Sequence, residues 1–496
     1  MANASSAQER RARHARAPLL ESCLAFVGRD QAPFYSPGHK GGRTLDPALR
    51  ASLAEIDLNN LPDTDTLHCP EGAILEAERL LADAYGVARS YILVGGSTAG
   101  NVGAILSALG PGDRLVVQRN AHKSVIAGIV HSGAVPVWIQ PDYDPHFGIA
   151  LGVSASAVEA AFDREPSAKA LLALNPTYFG TTPDIAALAK VCKSRGKLLL
   201  VDEAHGPHFH FAGGLPTAAE DVGADAVVQS SHKILSALSQ AAVLHTPSGA
   251  LDDVTVRRVL QLIQTTSPSF AIMASIDTAR RQMVVEGEEL LRAAIGRADD
   301  ARARLAKIAG IEVLGREHLR GPGSGFFDLD VTKIVLRVER LKMTGYDFQR
   351  ALNEAHGVQP ELGGAGHVLF ISTIGNTDAD FDRMVRAVGD VASSGRASLR
   401  PGVPDELRGA PLASELPPIA MSPREAFYAR AAACPFAEAE GRVCAEVITP
   451  YPPGIPALMP GERMTREVLD ALAAVRRARC PVSSSDPTLA TVRVVA

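Results

Sequence analysis

The chain has 496 residues, 46% of them hydrophobic, and a formal net charge of −5. That length calls for several domains around a large buried core, and so small a charge excludes the broad basic face of a general nucleic-acid binder. Its six cysteines, Cys23, Cys69, Cys192, Cys434, Cys444 and Cys480, form no CxxC pair, which fits reduced thiols in a cytoplasmic protein rather than a disulfide framework or a zinc site.

Residues 1–30 read as a solvated tail: they are basic but lack the apolar run of a secretory signal. Nowhere does the chain offer the roughly 18 consecutive apolar residues that a membrane span needs. FYSPGHKGG (34–42) reads as a Pro/Gly turn with His39 and Lys40 exposed. From about residue 70 to 250, short apolar runs alternate with helical patterns. The strand candidates are SYILVGG (90–96), RLVVQRN (114–120), VPVWIQP (135–141), KALLALNP (169–176), KLLLVDEAHG (197–206), ADAVVQSSHK (224–233) and AAVLH (241–245). Most are continuously apolar, as in strands covered on both faces. Between two of them, PDIAALAKVCKSRG (183–196) has proline at its start and glycine at its end, the signature of a helix. Repeated β-α units predict an α/β fold with a mostly parallel seven-stranded sheet wrapped by helices. Helical stretches follow at 252–264 and 272–309, then strand candidates TKIVLRV (332–338) and VLFISTI (368–374). We divide the chain into the tail, a large domain (31–300), a small α+β domain (301–390), a Ser/Pro/Gly/Ala-rich connector (391–423) and a last small domain (424–496).

Ligands bind at the carboxyl ends of such strands, and five of these ends are polar: GGSTAGN, RNAHKS, NPTYFG, DEAHG and SSHK. GGSTAGN (95–101) opens a helix and could hold an anion, although any tight strand-to-helix turn also needs small residues. VDEAHG (201–206) looks like a helicase box, but no GxxxxGK[ST] loop precedes it. His205, His208 and His210 lack the spacing or cysteine partners of a zinc site, so no metal is expected. An acid at a strand end can instead pair with a buried cation. Lys233, 31 residues after Asp202, follows Ser230, Ser231 and His232, small polar groups suited to a phosphate. A lysine for an imine, a carboxylate for a ring nitrogen and a polar cup for a phosphate are together what pyridoxal 5'-phosphate requires.

At this point the chain resembles the fold-type-I pyridoxal-phosphate decarboxylases for ornithine, lysine and arginine, in the short form without an N-terminal wing domain. Besides the stretches above, LPDTDTLHCPEG (61–72), RNAHKSVIAGIVHSGAVP (119–136), SSHKILSALSQ (230–240), TTSPSF (265–270) and TPYPPGIPALMPGE (449–462) match in order. The resemblance implies that Lys233 anchors the cofactor, Asp202 keeps its ring nitrogen protonated and His122 stacks on its face. It further implies a phosphate cup of Ser97, Thr98, Ser230 and His232, with Ala204 beneath the ring and His205 beside it. Lys123 and the pair His39-Lys40 have no catalytic role in this reading. Glu361 falls where the family meets the distal cation of a small basic amino acid. Thr265 and Thr266 match a segment that reaches into a neighbouring subunit's site, which implies a homodimer or dimer of dimers. Gly96 departs from the threonine of many relatives. His205 and the missing wing tilt the substrate toward arginine, feeding polyamine synthesis. Residues 424–496 would be the family's C-terminal domain. Transamination, aldol cleavage, or a silent scaffold that keeps the fold are the alternatives; the last is disfavoured because Lys233 and Asp202 are both present.

Overall fold

A computed structural model describes residues 10–11, 14–61, 63–394, 415–450, 455–477 and 480–496. Most of the 391–423 connector, much of the N-terminal tail and part of the TPYPPG stretch therefore lie outside the described residues.

The centre is a seven-stranded sheet. Its strands are β1 (Arg89–Leu93), β2 (Arg114–Gln118), β3 (Val135–Ile139), β4 (Ala170–Leu174), β5 (Leu198–Asp202), β6 (Ala226–Gln229) and β7 (Ala242–Thr246). They lie in the order β1-β7-β6-β5-β4-β2-β3. Only β7 runs antiparallel to its neighbours; the other four pairings are parallel. Every strand coincides with an apolar run expected from the sequence. The runs are continuous because both faces are covered. In β4, Ala170 and Leu172 pack into the core shared with the helices at 96–108 and 123–132. Leu171 and Ala173 point the other way, toward Phe162 and Leu188 of the helices on the opposite face.

Beyond the sheet, α1 (Phe270–Leu305) is a single helix of 36 residues. It stops earlier than the periodicity to residue 309 predicts, with residues 306–310 forming turns. A smaller antiparallel sheet follows: β8 (Glu312–Val313), β9 (Lys333–Arg337), β10 (Leu362–Gly363) and β11 (His367–Ile371), in the order β8-β9-β11-β10. Residues 32–34, grouped by sequence with the large domain, instead pair in parallel with 358–360. That pairing carries Ser36 to Glu361. The last unit keeps a core of its own around Cys444, Leu458, Leu472 and Val494. Among the described residues no helix is long and apolar enough to cross a membrane.

Two buried histidines give the fold an acid liability. His245 bonds Ser90 (2.8 Å) and Gln229 (3.2 Å), and burial lowers its pKa from 6.5 to about 3. Burial likewise lowers His367 to about 4. Folded pKa values below the unfolded value mean that, as pH falls from about 6.5 toward these values, the unfolded chain binds protons that the folded chain refuses, so stability drops. The buried Glu203, raised by burial and by Glu220, pulls the opposite way. The clean comparison is therefore between variants: His245→Asn should lose less melting temperature than the parent between about pH 6.5 and pH 5. Equal losses in the two proteins would assign the acid sensitivity elsewhere.

Candidate active site

The carboxyl ends of the central strands surround a cavity of about 300 Å³. Lys233 and Asp202 both line it, as do Ser97, His122, Ala204 and His205. Asp202 is the last residue of β5, and its carboxylate accepts hydrogen bonds from Asn101 Nδ2 (2.8 Å) and the Ala204 amide (3.2 Å). Asn101 also donates to Ser124 Oγ (3.0 Å), which leaves the hydroxyl proton to bond His122 Nδ1 (2.8 Å). Nδ1 also accepts from the Ser124 amide (3.2 Å), so the neutral ring carries its proton on Nε2. His122 opens toward the cavity yet is hemmed in by protein, and desolvation lowers its pKa despite the opposing pull of Asp202.

Lys233 follows β6, and burial lowers its pKa against the pull of Asp202 and Glu361. A lysine held partly toward its neutral form is a nucleophile. Its Nζ lies 3.0 Å from His205 Nε2.

Two features beside it fit a phosphate. Ser230 is wholly buried and its hydroxyl has no hydrogen-bond partner, an arrangement that costs stability unless a ligand satisfies it. His232 donates Nδ1–H to the Ala241 carbonyl (2.8 Å), which leaves Nε2 available on the cavity side. Ser97 stands in the first turn of the helix Gly96–Ala108, the positive end of the helix dipole, where anions are favoured. Two of the expected cup residues do not line the cavity: Ser230 is wholly enclosed behind it, and Thr98 is exposed, since one helical step of about 100° turns Thr98 away from Ser97. Gly96 has a φ of +69°, a conformation in which threonine would be strained. The cradle thus fits pyridoxal phosphate, with a lysine, a strand-end carboxylate, an aromatic ring and an unsatisfied anion cup.

Glu361 lines the same cavity. Its two oxygens accept from the Ser36 amide (2.9 Å) and the Tyr178 hydroxyl (2.6 Å). Thr265 and Thr266 are not brought to it. Both are exposed, their carbonyls bonded by His68 and Asn60 of the same chain. The PGHKGG segment is a turn as expected, but Lys40 is only 2% exposed and donates to the Tyr35 and Ile371 carbonyls. Its hydrogen bonds are wholly structural. His208 faces Asp330 and His210 faces Asp221, and among the described residues no cluster of three potential metal ligands exists.

Sequence reasoning gave no role to Asn101, Ser124, Tyr178 or Lys333. The first three sit inside strand-end stretches already singled out, and their polarity was the available signal. Lys333 begins β9 and looked like any lysine at the start of a strand; only the fold brings it against His205 (Nζ to Nδ1, 3.2 Å).

This sheet order, with a cavity joining a buried lysine, a strand-end aspartate and an anion cup, defines a fold-type-I pyridoxal-phosphate enzyme. The Orn/Lys/Arg decarboxylase major-domain model matches residues 17–380, and the C-terminal-domain model of that family matches 408–481. The chain belongs to the Orn/Lys/Arg decarboxylase family and is a pyridoxal-phosphate-dependent carboxy-lyase. It is 37% identical to an arginine decarboxylase of Halalkalibacterium halodurans over 97% of this chain and 98% of the relative. An arginine decarboxylase of Bacillus subtilis is 36% identical over 96% and 97% of the two chains. Among solved structures, the lysine decarboxylase A of Pseudomonas aeruginosa superposes with a TM-score of 0.76 at 23% identity, covering 93% of this chain and 77% of that one. At that identity the likeness speaks for the fold.

Proposed function

We propose that the chain decarboxylates arginine, with lysine and ornithine as poorer substrates, and that Lys233, Asp202, His122, Ser97, Ser230, His232 and Glu361 carry the reaction. Pyridoxal phosphate, when bound, supplies the sink for the electron pair released with CO2. Lys233 holds the cofactor and yields its place to the substrate amine. Asp202 keeps a proton on the ring nitrogen, its own carboxylate oriented by Asn101 and the Ala204 amide. His122 covers the ring face, and the Ser124 hydroxyl fixes its tautomer. Ser97, Ser230 and His232 receive the phosphate. The protein's main contribution is orientation: it sets which substrate bond stands perpendicular to the ring.

The observation that carries the substrate reading is Glu361. Ser36 and Tyr178 hold its two oxygens inside the cavity that contains Lys233, and a carboxylate oriented in this way suits the two-point fork of a guanidinium. The two near-full-length relatives named as arginine decarboxylases support the same choice. Among the described residues no arginine lines the cavity, whereas an aminotransferase clamps its substrate carboxylate with one. Glu361→Gln should raise KM for arginine on the order of ten- to a hundredfold with a much smaller change in kcat, the worth of a charge-assisted hydrogen bond. An unchanged KM for arginine in steady-state assays would remove Glu361 from the substrate site.

We further infer a homodimer or dimer of dimers. Thr265 and Thr266 lie exposed beside a loop carrying exposed Leu58 and Leu61, with exposed Leu262 one helix turn away. A cytoplasmic setting accords with six unpaired cysteines, and the amine product would feed polyamine synthesis.

A further inference from the structure

The reaction needs a second act that the groups above leave unassigned. Once CO2 has gone, the vacated carbon must receive a proton. Three groups form a line from the cavity inward, Lys233 half-buried, His205 and Lys333 buried. Lys233 Nζ lies 3.0 Å from His205 Nε2, and His205 Nδ1 lies 3.2 Å from Lys333 Nζ. His205 also lines the cavity, its ring edge-on to Tyr178 with centroids 5.0 Å apart. Lys333 is 0% exposed. Its stem runs over Gly180, where a Cβ would come within 2.8 Å of the Lys333 side chain. Gly180, with a φ of +89°, leaves the room this lysine needs.

The hydrogen-bond chemistry of that line is directional. An ammonium has only donors, so once Lys233 is committed to the cofactor, a charged Lys333 makes His205 Nδ1 an acceptor and puts the ring proton on Nε2, facing the cavity. From these contacts we propose that His205 gives the proton to the substrate carbon vacated by CO2, and that Lys333 sets its tautomer and refills it. The inference rests on the decarboxylase reading above. The step balances. The Nε2–H bond breaks as the new C–H bond forms, while Lys333 passes one proton to Nδ1. The imidazole ends neutral with its proton on Nδ1, and Lys333 ends as a neutral amine, to be recharged from solvent before the next turnover. The single positive charge given up by Lys333 cancels the negative charge left at carbon.

The electrostatics fit. Burial and the neighbouring lysines hold His205 well below its ordinary pKa, so its ring is neutral at pH 7. Burial lowers Lys333 to about 8 against the pull of Asp330 and Glu361, with Lys233 adding to the lowering. A lysine in that range is charged at neutral pH yet releases its proton readily. His205 acts on substrate; Lys333 acts through His205 and is a positioning residue.

Two readouts test this. In cofactor-free Lys233→Ala protein labelled with heavy nitrogen in histidine, where Lys333 alone faces the ring, His205 should appear as the Nε2–H tautomer, and adding Lys333→Met should shift it toward Nδ1–H. In the loaded enzyme, His205→Gln and Lys333→Met should each lower kcat on the order of a hundredfold, with KM within about twofold. Protonation then strays from the substrate carbon, so a carbonyl by-product rises relative to the amine. Lys333→Arg should restore the tautomer without restoring kcat, because a guanidinium keeps its proton. If Lys333→Met fails to load cofactor, Lys333→Gln takes its place. An Nδ1–H ring in the Lys233→Ala background, with the wild type still making amine, would overturn the donor role alone. So would an unchanged kcat and amine-to-carbonyl ratio in the Lys333 variants, which would make Lys233 the donor. A wild type that makes no amine from any basic amino acid would overturn the decarboxylase reading and the donor role together.

Discussion

Lys233→Ala is expected to lower amine formation at least on the order of a thousandfold, the scale for losing the residue that carries covalent catalysis. Three lysines, Lys40, Lys233 and Lys333, lie enclosed in this region of the fold, and their contacts separate them. Lys40 gives its ammonium to two backbone carbonyls. Lys333 bonds His205 and does not line the cavity. Lys233 alone of the three lines the cavity, in reach of the field of both Asp202 and Glu361. Reducing the loaded protein with borohydride and mapping the modified peptide by mass should label Lys233 in the parent and nothing in Lys233→Ala. A label appearing on the Lys333 or Lys40 peptide of the parent would reassign the anchor.

The second large effect is expected at Arg119, where the C-terminal unit locks onto the central sheet. Arg119 follows β2, lies 5.1 Å from the centre of the Trp138 ring, and makes a two-pronged pair with Glu462 while also donating to the Ala457 carbonyl (2.9 Å). Both partners are buried, and Glu462 in turn accepts from the Met459 amide (2.9 Å). Met459 packs into the sheet core, and Ile455 of the same segment lines the cavity. Arg119→Ala would leave a buried carboxylate without its cation, a change that costs about 3–5 kcal/mol. Urea unfolding should register that loss, with a lower cofactor affinity as the segment at 455–462 loosens. Arg119→Lys should recover only part, since an ammonium cannot reproduce the fork. A loss under about 1 kcal/mol in Arg119→Ala would show that the pair merely offsets its own desolvation.

Much of this arrangement was legible before any coordinates. Most of the seven strands could be placed because they are buried on both faces, and continuous apolar runs punctuated by polar ends are hard to mistake; the edge strand β3 is half-exposed on one face. Asp202, His122 and Lys233 stood out for a related reason: reactive side chains at the carboxyl ends of parallel strands converge on one edge of the sheet. What stayed hidden depends on contacts between distant segments. Lys333 is 128 residues from His205, and nothing local to TKIVLRV marks it. Lys40 seemed exposed because glycine and proline flank it, yet packing beneath the small sheet buries it. Thr98 seemed equivalent to Ser97 until the helix set them on different sides. Glu361 could be singled out only through resemblance, since the pairing of residues 32–34 with 358–360 that brings Ser36 to it joins the two ends of the described core.

Supplying the loaded protein separately with arginine, lysine and ornithine, and measuring both CO2 and the mass of the product, decides between decarboxylation and transamination. Arginine decarboxylation predicts one CO2 for each molecule of agmatine from arginine, with far slower formation of cadaverine or putrescine. A protein that binds pyridoxal phosphate but releases no CO2 from any of the three, or that converts them to keto acids, would contradict it.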